Sequence, residues 1–263
     1  MLSIIIPISN NLSYIYCLSA LTIVKILKIM INLKGKNALV TGSSRGIGQQ
    51  IVLGLAQLGC NIIVHGRTKE SCTKTLDLVK NHNVKTYCVY GELSDESQVN
   101  LIIKQVKDLN INIDILYNNA AVMTPYHTDF WNHSWEEWME TFKVNVFAMY
   151  SLCRAFIPPM IENGFGRVVN LTSGIKGEPE LAPYGASKWA VNKLTDDLAV
   201  KLQNTPVRIN TLDPSWLRTD LGGEHAHNPV EAVMPGALAP ALIENDGPNG
   251  QEFSALDQNI FSK

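Results

Sequence analysis

Cysteine is scarce in this sequence, and neither sign of charge is in clear excess. The cysteines are scattered, odd in number and never spaced as C-x-x-C: Cys17, Cys60, Cys72, Cys88 and Cys153. This pattern argues against a structural disulfide or a zinc site and is typical of free thiols in a reducing cytoplasm. The formal net charge of −2, from 22 basic and 24 acidic residues, offers no broad attraction to nucleic acid or to an anionic membrane surface. Any phosphate recognition must therefore be local.

The chain also lacks a clear secretion signal or membrane span. Residues 1–30 are rich in isoleucine and leucine, but they have no positively charged start and no small-residue cleavage site. Polar residues interrupt the run of about 20 apolar residues that a span needs. Three alternatives stay open for this extension: a weak membrane anchor, an added packing segment, or a stretch upstream of a true start at Met30. We favour the last, because Met30 begins where a normal first strand would need it.

Residues 31–263 are predicted to form one α/β domain. From Lys36 onward, short β-branched runs alternate with longer helical patterns, which predicts a single Rossmann-like, doubly wound parallel sheet with helices on both faces. The predicted strands cover residues 37–41, 61–65, 85–90, 113–117, 167–171 and 208–212. The predicted helices cover residues 47–58, 69–81, 96–108, 135–157 and 186–203. Such sheets bind ligands beyond the carboxyl ends of their strands.

A glycine-rich segment, Thr41-Gly-Ser-Ser-Arg-Gly-Ile-Gly48, joins the first strand to the first helix. Gly42 permits the tight turn, Gly46 lets the backbone approach a pyrophosphate, and Gly48 lets the helix pack on the strand. The helix N-terminus adds unpaired N–H groups and a partial positive charge. Placed between a strand and a helix, the segment predicts a dinucleotide phosphate site, the alternative being a glycine turn that binds no ligand.

The end of the second strand bears on the choice of cofactor. It reads Val64-His65-Gly66-Arg67 and lacks the acidic residue that holds the ribose 2′-hydroxyl in NAD-binding proteins. Arg67, with Arg45 as a second cation, could instead bind a 2′-phosphate. We therefore predict a preference for NADP(H), with NAD(H) as the second option. The alternative is that both arginines are solvated loop charges.

A tyrosine and a lysine are candidates for acid–base chemistry. Tyr184 and Lys188 are four residues apart, which places them on one helical face. A phenol titrates at about 10, and a neighbouring ammonium lowers that pKa. Alone, the pair could equally be an interfacial tyrosine beside a surface lysine. However, Ser173 follows the fifth strand and is expected at the same sheet edge.

Together these motifs resemble the classical short-chain dehydrogenase/reductase family, from about Leu33 to the C-terminus. Asn118-Asn119-Ala120-Ala121 is similar to the family's Asn-Asn-Ala-Gly, and Val144-Asn145-Val146 is similar to the segment with its catalytic asparagine. Pro214-Ser215 followed by Thr219 resembles the Pro-Gly turn and the threonine that contacts the nicotinamide. Ala121 and Ser215 stand where the family has glycine, which is expected to disturb the fine cofactor geometry.

The resemblance implies an NADP(H)-dependent oxidoreductase that interconverts a carbonyl and an alcohol by hydride transfer. Tyr184 would donate the proton and Ser173 would orient the carbonyl. Lys188 would hold the nicotinamide ribose and lower the pKa of Tyr184, and Asn145 would support a water that resupplies the proton. The implied cofactor residues are Gly42, Ser44, Arg45, Gly46, Ile47, Gly48, Arg67, Glu92, Leu93, Asn119, Ala120, Tyr184, Lys188, Pro214 and Thr219.

Two other functional classes compete with the enzyme. One is a non-catalytic NADP(H)-sensing regulator on the same fold, which the set Ser173, Tyr184 and Lys188 argues against. The other is a membrane-anchored interaction module that uses residues 1–30. For the enzyme we expect a cytoplasmic homodimer or homotetramer, formed through segment 144–156 and the next helix, that acts on a small-molecule carbonyl or alcohol. His225-Ala-His227 is interpreted as a solvated loop, and no metal site is predicted.

Overall fold

The computed structural model describes residues 32–257 and residue 260. The apolar extension over residues 1–30 lies outside the described residues, so its three readings stay predictions. The division of the chain into that extension and one domain over residues 31–263 stays a prediction as well.

In the described part of the chain, nine strands form two parallel sheets. Their bounds are β1 Asn37–Val40, β2 Asn61–Gly66, β3 Thr86–Tyr90, β4 Ile115–Asn118, β5 Gly166–Leu171, β6 Val207–Asp213, β7 Leu217–Arg218, β8 Asn228–Pro229 and β9 Glu252–Ser254. The main sheet has seven strands in the order β3-β2-β1-β4-β5-β6-β9, and β7 pairs with β8. The chain runs outward from β1 to β3 and then crosses to β4 on the other side of β1, which creates a switch point between β1 and β4. The predicted doubly wound sheet is confirmed.

The main helices are α1 Gly46–Gln57, α2 Thr73–Val79, α3 Glu96–Asp108, α4 Trp135–Phe142, α5 Met149–Glu162 and α6 Ala182–Lys201. A π-helical turn, Lys143–Ala148, joins α4 directly to α5. Three predicted helix boundaries are wrong. The helix expected at 135–157 continues to Glu162. The helix expected at 186–203 begins four residues earlier, because Pro183 suits a first helical turn. The helix expected at 69–81 is α-helical only over α2 and is flanked by 3-10 turns.

The helices cover both faces of the main sheet. Along β1, Ala38 and Val40 belong to one buried apolar cluster, whereas Leu39 belongs to the other. The first cluster includes Ile51 of α1, and the second includes Leu152 of α5. This two-sided burial explains why the strands read as nearly continuous apolar runs.

The helical stretch Trp135–Glu162 is long and apolar enough to cross a membrane by length and composition, but 56% of its most apolar window is buried inside the fold. It packs here as a core helix. Four cysteines in the described part of the chain are free: Cys60, Cys72, Cys88 and Cys153.

Candidate active site

The glycine-rich loop follows β1 at the carboxyl edge of the sheet. Gly42 and Gly46 have φ angles of +61° and +60°, in the left-handed region that favours glycine. A Cβ on Gly42 would lie 2.9 Å from the Ala120 Cα. No side chain caps the N-terminus of α1, so its first N–H groups are available to an anion.

Asn119, at the end of β4, braces this loop from the other side of the switch point. Its Nδ2 donates to the Thr41 and Gly42 carbonyls at 2.8 and 3.2 Å. The Thr41 Oγ1 in turn accepts from the N–H groups of Asn119 and Ala120, both at 3.0 Å. A Cβ on Gly48 would lie 2.5 Å from the Asn119 Nδ2. Gly48 therefore leaves room for this brace as well as for the helix.

His65 is a positioning residue that the sequence analysis missed. Its Nδ1 accepts from the Gly42 N–H at 3.0 Å, its carbonyl accepts from the Ser43 N–H at 2.9 Å, and its Nε2 lies 3.3 Å from the Gly91 carbonyl. Burial lowers the pKa of His65 to about 4, so the ring is neutral, with Nε2–H donating to Gly91. The sequence feature that could have indicated this role is a histidine at the end of an otherwise apolar strand.

The two arginines expected at a 2′-phosphate lie after adjacent strands. Arg45 precedes α1, and Arg67 directly follows β2; both side chains are exposed. Arg45 pairs with Asp220 at 2.9 Å in a solvent-exposed contact, which a stronger anion could replace. After β3, the Glu92 carboxylate accepts from the Leu93 N–H at 3.0 Å.

Ser173, Tyr184 and Lys188 meet at the end of β5. The Ser173 hydroxyl lies close enough to the Tyr184 phenol to lower its pKa. Tyr184 and Lys188 are both buried on one face of α6, as their spacing predicts. The Lys188 Nζ donates to the Leu171 carbonyl at 2.8 Å and lies 5.7 Å from the centre of the Tyr184 ring. The expected catalytic cluster is therefore assembled.

The expected lowering of the Tyr184 pKa is wrong for this structure. Burial raises the pKa of Tyr184 to about 12, against an opposing effect from the Ser173 hydrogen bond. Burial also lowers the pKa of Lys188 to about 8. Loss of water is thus the largest effect on the pKa of each group.

Asp213, the last residue of β6, is a third ionisable group that the motifs did not reveal. It raises the pKa of Tyr184 and of Lys188, in each case as a smaller effect than burial. A Cβ on Gly174 would lie 3.0 Å from the Asp213 Oδ2. The carboxylate therefore lies against the segment that follows Ser173.

Asn145 lies in the π-helical turn and is buried. Its Nδ2 donates to the Val122 carbonyl and to the Ser187 Oγ, both at 2.9 Å, and its Oδ1 accepts from the Val122 N–H at 2.9 Å. The Ser187 Oγ donates to the Tyr184 carbonyl at 2.7 Å. Asn145 therefore ties the segment after β4 to the helix that carries Tyr184.

The turn after β6 places a serine in a backbone conformation that is typical of glycine. Ser215 has a φ of +66°, a left-handed conformation that usually falls to glycine. Pro214 is buried, and the Thr219 Oγ1 accepts from the Gly222 N–H at 3.0 Å. A Cβ on Gly46 would be in ordinary contact with Thr219, 3.6 Å from its Cγ2. Thr219 is thus brought next to the glycine-rich loop.

Two segments adjoin the catalytic cluster: residues 121–134, after β4, and residues 174–183, between Ser173 and Tyr184. We call these the substrate-side segments. They meet where the His127 N–H donates to the Glu180 carbonyl at 3.2 Å and the His133 Nε2 lies 3.1 Å from the Pro179 carbonyl.

Comparison with known proteins agrees with this geometry. The short chain dehydrogenase family matches residues 36–229. A 3alpha-hydroxysteroid dehydrogenase of Mediterraneibacter gnavus is 36% identical over 80% of this chain and 82% of its own length.

Solved structures give the same assignment. A 3-oxoacyl (acyl-carrier-protein) reductase of Agrobacterium tumefaciens with NADP bound has a TM-score of 0.78 at 25% identity, over 87% of this chain and 95% of that one. A metagenomic short-chain oxidoreductase in complex with NADP has a TM-score of 0.65 at 30% identity, over 70% of this chain and 84% of that one. The chain belongs to the classical short-chain dehydrogenase/reductase family of oxidoreductases, whose members act on alcohols and carbonyls.

Proposed function

We propose that the protein is an NADP(H)-dependent oxidoreductase that interconverts a carbonyl and an alcohol, with Tyr184 as its acid and base. The observation that carries this proposal is the convergence of Ser173 with the buried Tyr184 and the buried Lys188, at the sheet edge that also holds the glycine-rich loop. A regulator without catalysis would have no need to bury these polar groups together.

The residues around the glycine-rich loop fit a dinucleotide with a 2′-phosphate. The uncapped start of α1 offers N–H groups to a pyrophosphate, and Gly46 leaves its approach open. Arg45 and Arg67 supply exposed cations where an NAD-binding protein has a carboxylate. The NADP-bound relatives support the same preference, with NAD(H) as the second option.

The remaining cofactor contacts are carried over from the family. Glu92, Leu93, Asn119 and Ala120 would lie beside the adenosine half. Lys188 would hold the nicotinamide ribose, and Pro214 and Thr219 would lie beside the nicotinamide. When bound, the cofactor supplies or accepts the hydride.

The chain's own residues control the proton. Because its pKa is about 12, Tyr184 is protonated at neutral pH and can donate to a carbonyl oxygen in the reductive direction. Ser173 would hydrogen-bond the same oxygen, a contact that strengthens as negative charge develops there. The Asn145 amide has both N–H groups and one acceptor site engaged. One lone pair on its oxygen remains to hold a water that resupplies the proton.

The names of the relatives bear on the class of substrate. The relatives named above act on a hydroxysteroid and on a 3-oxoacyl thioester, so we propose a small-molecule carbonyl or alcohol. We expect the reaction to take place in the cytoplasm.

We also propose a homodimer or homotetramer. Phe147, Tyr150 and Arg154 form an exposed stripe at helical spacing, and Trp189 of α6 is 56% exposed. Light scattering of the purified protein tests this directly, and a monomer at micromolar concentration would contradict it.

Fluorescence titration with NADPH and NADH, followed by turnover of aldehydes and ketones, tests the central proposal. We expect tighter binding of NADPH. Tyr184→Phe should lower kcat by about 10²- to 10⁴-fold and leave the Kd for NADPH within about twofold, whereas Tyr87→Phe, in the middle of β3, should leave both unchanged. Binding without turnover in the unaltered protein would favour the NADP(H)-sensing regulator. Failure to bind either nucleotide would overturn the proposal.

A further inference from the structure

Three potential metal ligands converge in the substrate-side segments. His127 and His133 lie in the loop before α4, and Glu137 lies in the first turn of that helix. Their nearest ligand atoms all lie within 4.8 Å of one another. The His127 Nε2 is 2.7 Å from the Glu137 Oε1, and the His133 Nδ1 is 3.7 Å from the Glu137 Oε2.

His133 is oriented as a ligand would be. Its side chain is only 3% exposed, and its Nε2 faces the Pro179 carbonyl at 3.1 Å. A carbonyl only accepts, so Nε2 carries the hydrogen and the neutral ring keeps a lone pair on Nδ1. That buried Nδ1 has no hydrogen-bond partner among the described residues. A histidine that donates its other N–H to a backbone carbonyl is the usual arrangement at a metal site.

Glu137 is held in place independently of any metal. Its Oε2 accepts from the Ser134 N–H at 2.9 Å, and the Ser134 Oγ accepts from the Glu137 N–H at 3.1 Å, which completes a capping box at the start of α4. The hydrogen bonds from His127 and Ser134 lower the pKa of Glu137. The carboxylate is therefore ionised at neutral pH and already directed toward both histidines.

We propose that His127, His133 and Glu137 form a binding site for a divalent transition metal, with Zn²⁺ as the best-matched ion. Two imidazoles and one carboxylate with an open fourth position form a ligand set that Zn²⁺ adopts. Bonds of about 2.0 to 2.2 Å in a tetrahedral site place ligand atoms roughly 3.4 Å apart. The 2.7 and 3.7 Å separations, which run to Oε1 and Oε2 of the same Glu137 carboxylate, lie on either side of that value. The ion would replace the proton that His127 now directs at Glu137.

The position of this site gives it a role in shaping the substrate pocket. His127 and His133 contact the backbone of Glu180 and Pro179, in the segment between Ser173 and Tyr184. A bound ion would therefore fasten residues 121–134 to residues 174–183. The site lies apart from the proposed hydride-transfer step, and its existence does not depend on the proposed function.

Metal uptake by the untagged full chain tests the proposal. After treatment with a chelator and its removal, the protein is titrated with ZnCl₂ by calorimetry, and Co²⁺ is used as a visible-absorbing substitute. We expect one tightly bound Zn²⁺ per chain and a cobalt spectrum without bands from sulfur ligands. Stronger bands from thiolate ligands would place the metal at the cysteines and overturn the assignment.

Two variants make the test specific. Glu137→Gln removes the carboxylate but keeps a capping-box residue, so the metal-free protein should unfold at an unchanged temperature while the affinity for Zn²⁺ falls by more than about tenfold. His225→Ala removes an exposed histidine from the loop near β8 and should leave binding unchanged. If the unaltered protein binds Zn²⁺ no better than Glu137→Gln, or if His225→Ala abolishes binding, the site does not exist. Neither result would affect the nucleotide titration.

Discussion

The glycine-rich loop and the substrate-side segments flank the same catalytic cluster, but they are held in different ways. Buried and half-buried side chains fix the loop from several directions: His65, Asn119 and Thr75 all hydrogen-bond its backbone. Segment 174–183 makes few such contacts, and Gly177 within it has no atom within 4 Å of where a Cβ would lie. The cofactor side is thus specified by internal packing. The substrate side is specified mainly by contacts between two surface segments.

Alanine substitutions at two glycines with similar φ angles test most directly whether the loop is held more tightly than the substrate side. Gly42→Ala places a Cβ 2.9 Å from backbone, whereas Gly177→Ala meets open space; their φ angles are +61° and +69°. We expect Gly42→Ala to lower the free energy of unfolding by about 3 kcal/mol or more, from left-handed strain plus overlap. Gly177→Ala should cost about 1 kcal/mol from strain alone.

Urea denaturation of both variants measures the difference, and NADPH binding should be lost only in Gly42→Ala. Equal destabilisation by the two substitutions would mean that the loop is no more tightly packed than the substrate side.

Low pH should lower the free energy of unfolding through His65, on the cofactor side. Its folded pKa of about 4 lies below the unfolded value of 6.5, so the unfolded chain binds the extra proton between these values. The contribution of His65 to stability is therefore complete above pH 6.5 and is lost as the pH falls toward 4, by roughly 3 kcal/mol at most.

The measurement is the pH dependence of urea unfolding for the unaltered protein, His65→Asn and the exposed control His225→Asn. Only His65→Asn should show a shallower slope in this window. An unchanged slope would mean that the buried ring does not resist protonation.

Replacing Ser215 by glycine should change the free energy of unfolding by a smaller amount and in the opposite direction. Its left-handed conformation, φ +66°, costs a non-glycine residue about 1 kcal/mol. Ser215→Gly should therefore raise the free energy of unfolding by up to about 1 kcal/mol. The greater conformational entropy of glycine in the unfolded state reduces this gain. Thermal unfolding measures this gain. A loss of stability would show that the serine makes a compensating contact.

Features encoded locally could be predicted from the sequence. The alternation of apolar runs predicts the doubly wound sheet, and the four-residue spacing of Tyr184 and Lys188 predicts their shared helical face. The glycine-rich loop and Ser173 also lie where their motifs predict. Each of these depends on neighbouring residues and on the general rule that parallel strands end at one edge.

Features that depend on burial or on distant segments could not be predicted. The direction of the Tyr184 pKa shift is set by how much water the fold removes. Asp213 is recognised only once β6 is placed beside β5. The cluster of His127, His133 and Glu137 lacks a familiar metal spacing and forms because a loop folds back onto the start of α4.

From within β2, His65 joins the two loops that follow the neighbouring strands β1 and β3, since it contacts Gly42 and Ser43 in one and Gly91 in the other. The concave surface that receives a dinucleotide is therefore shaped before any ligand arrives. Little conformational entropy remains to be lost there on association, so a larger share of the contact energy is available as affinity. We expect the substrate-side segments to lose conformational entropy instead, when the substrate binds.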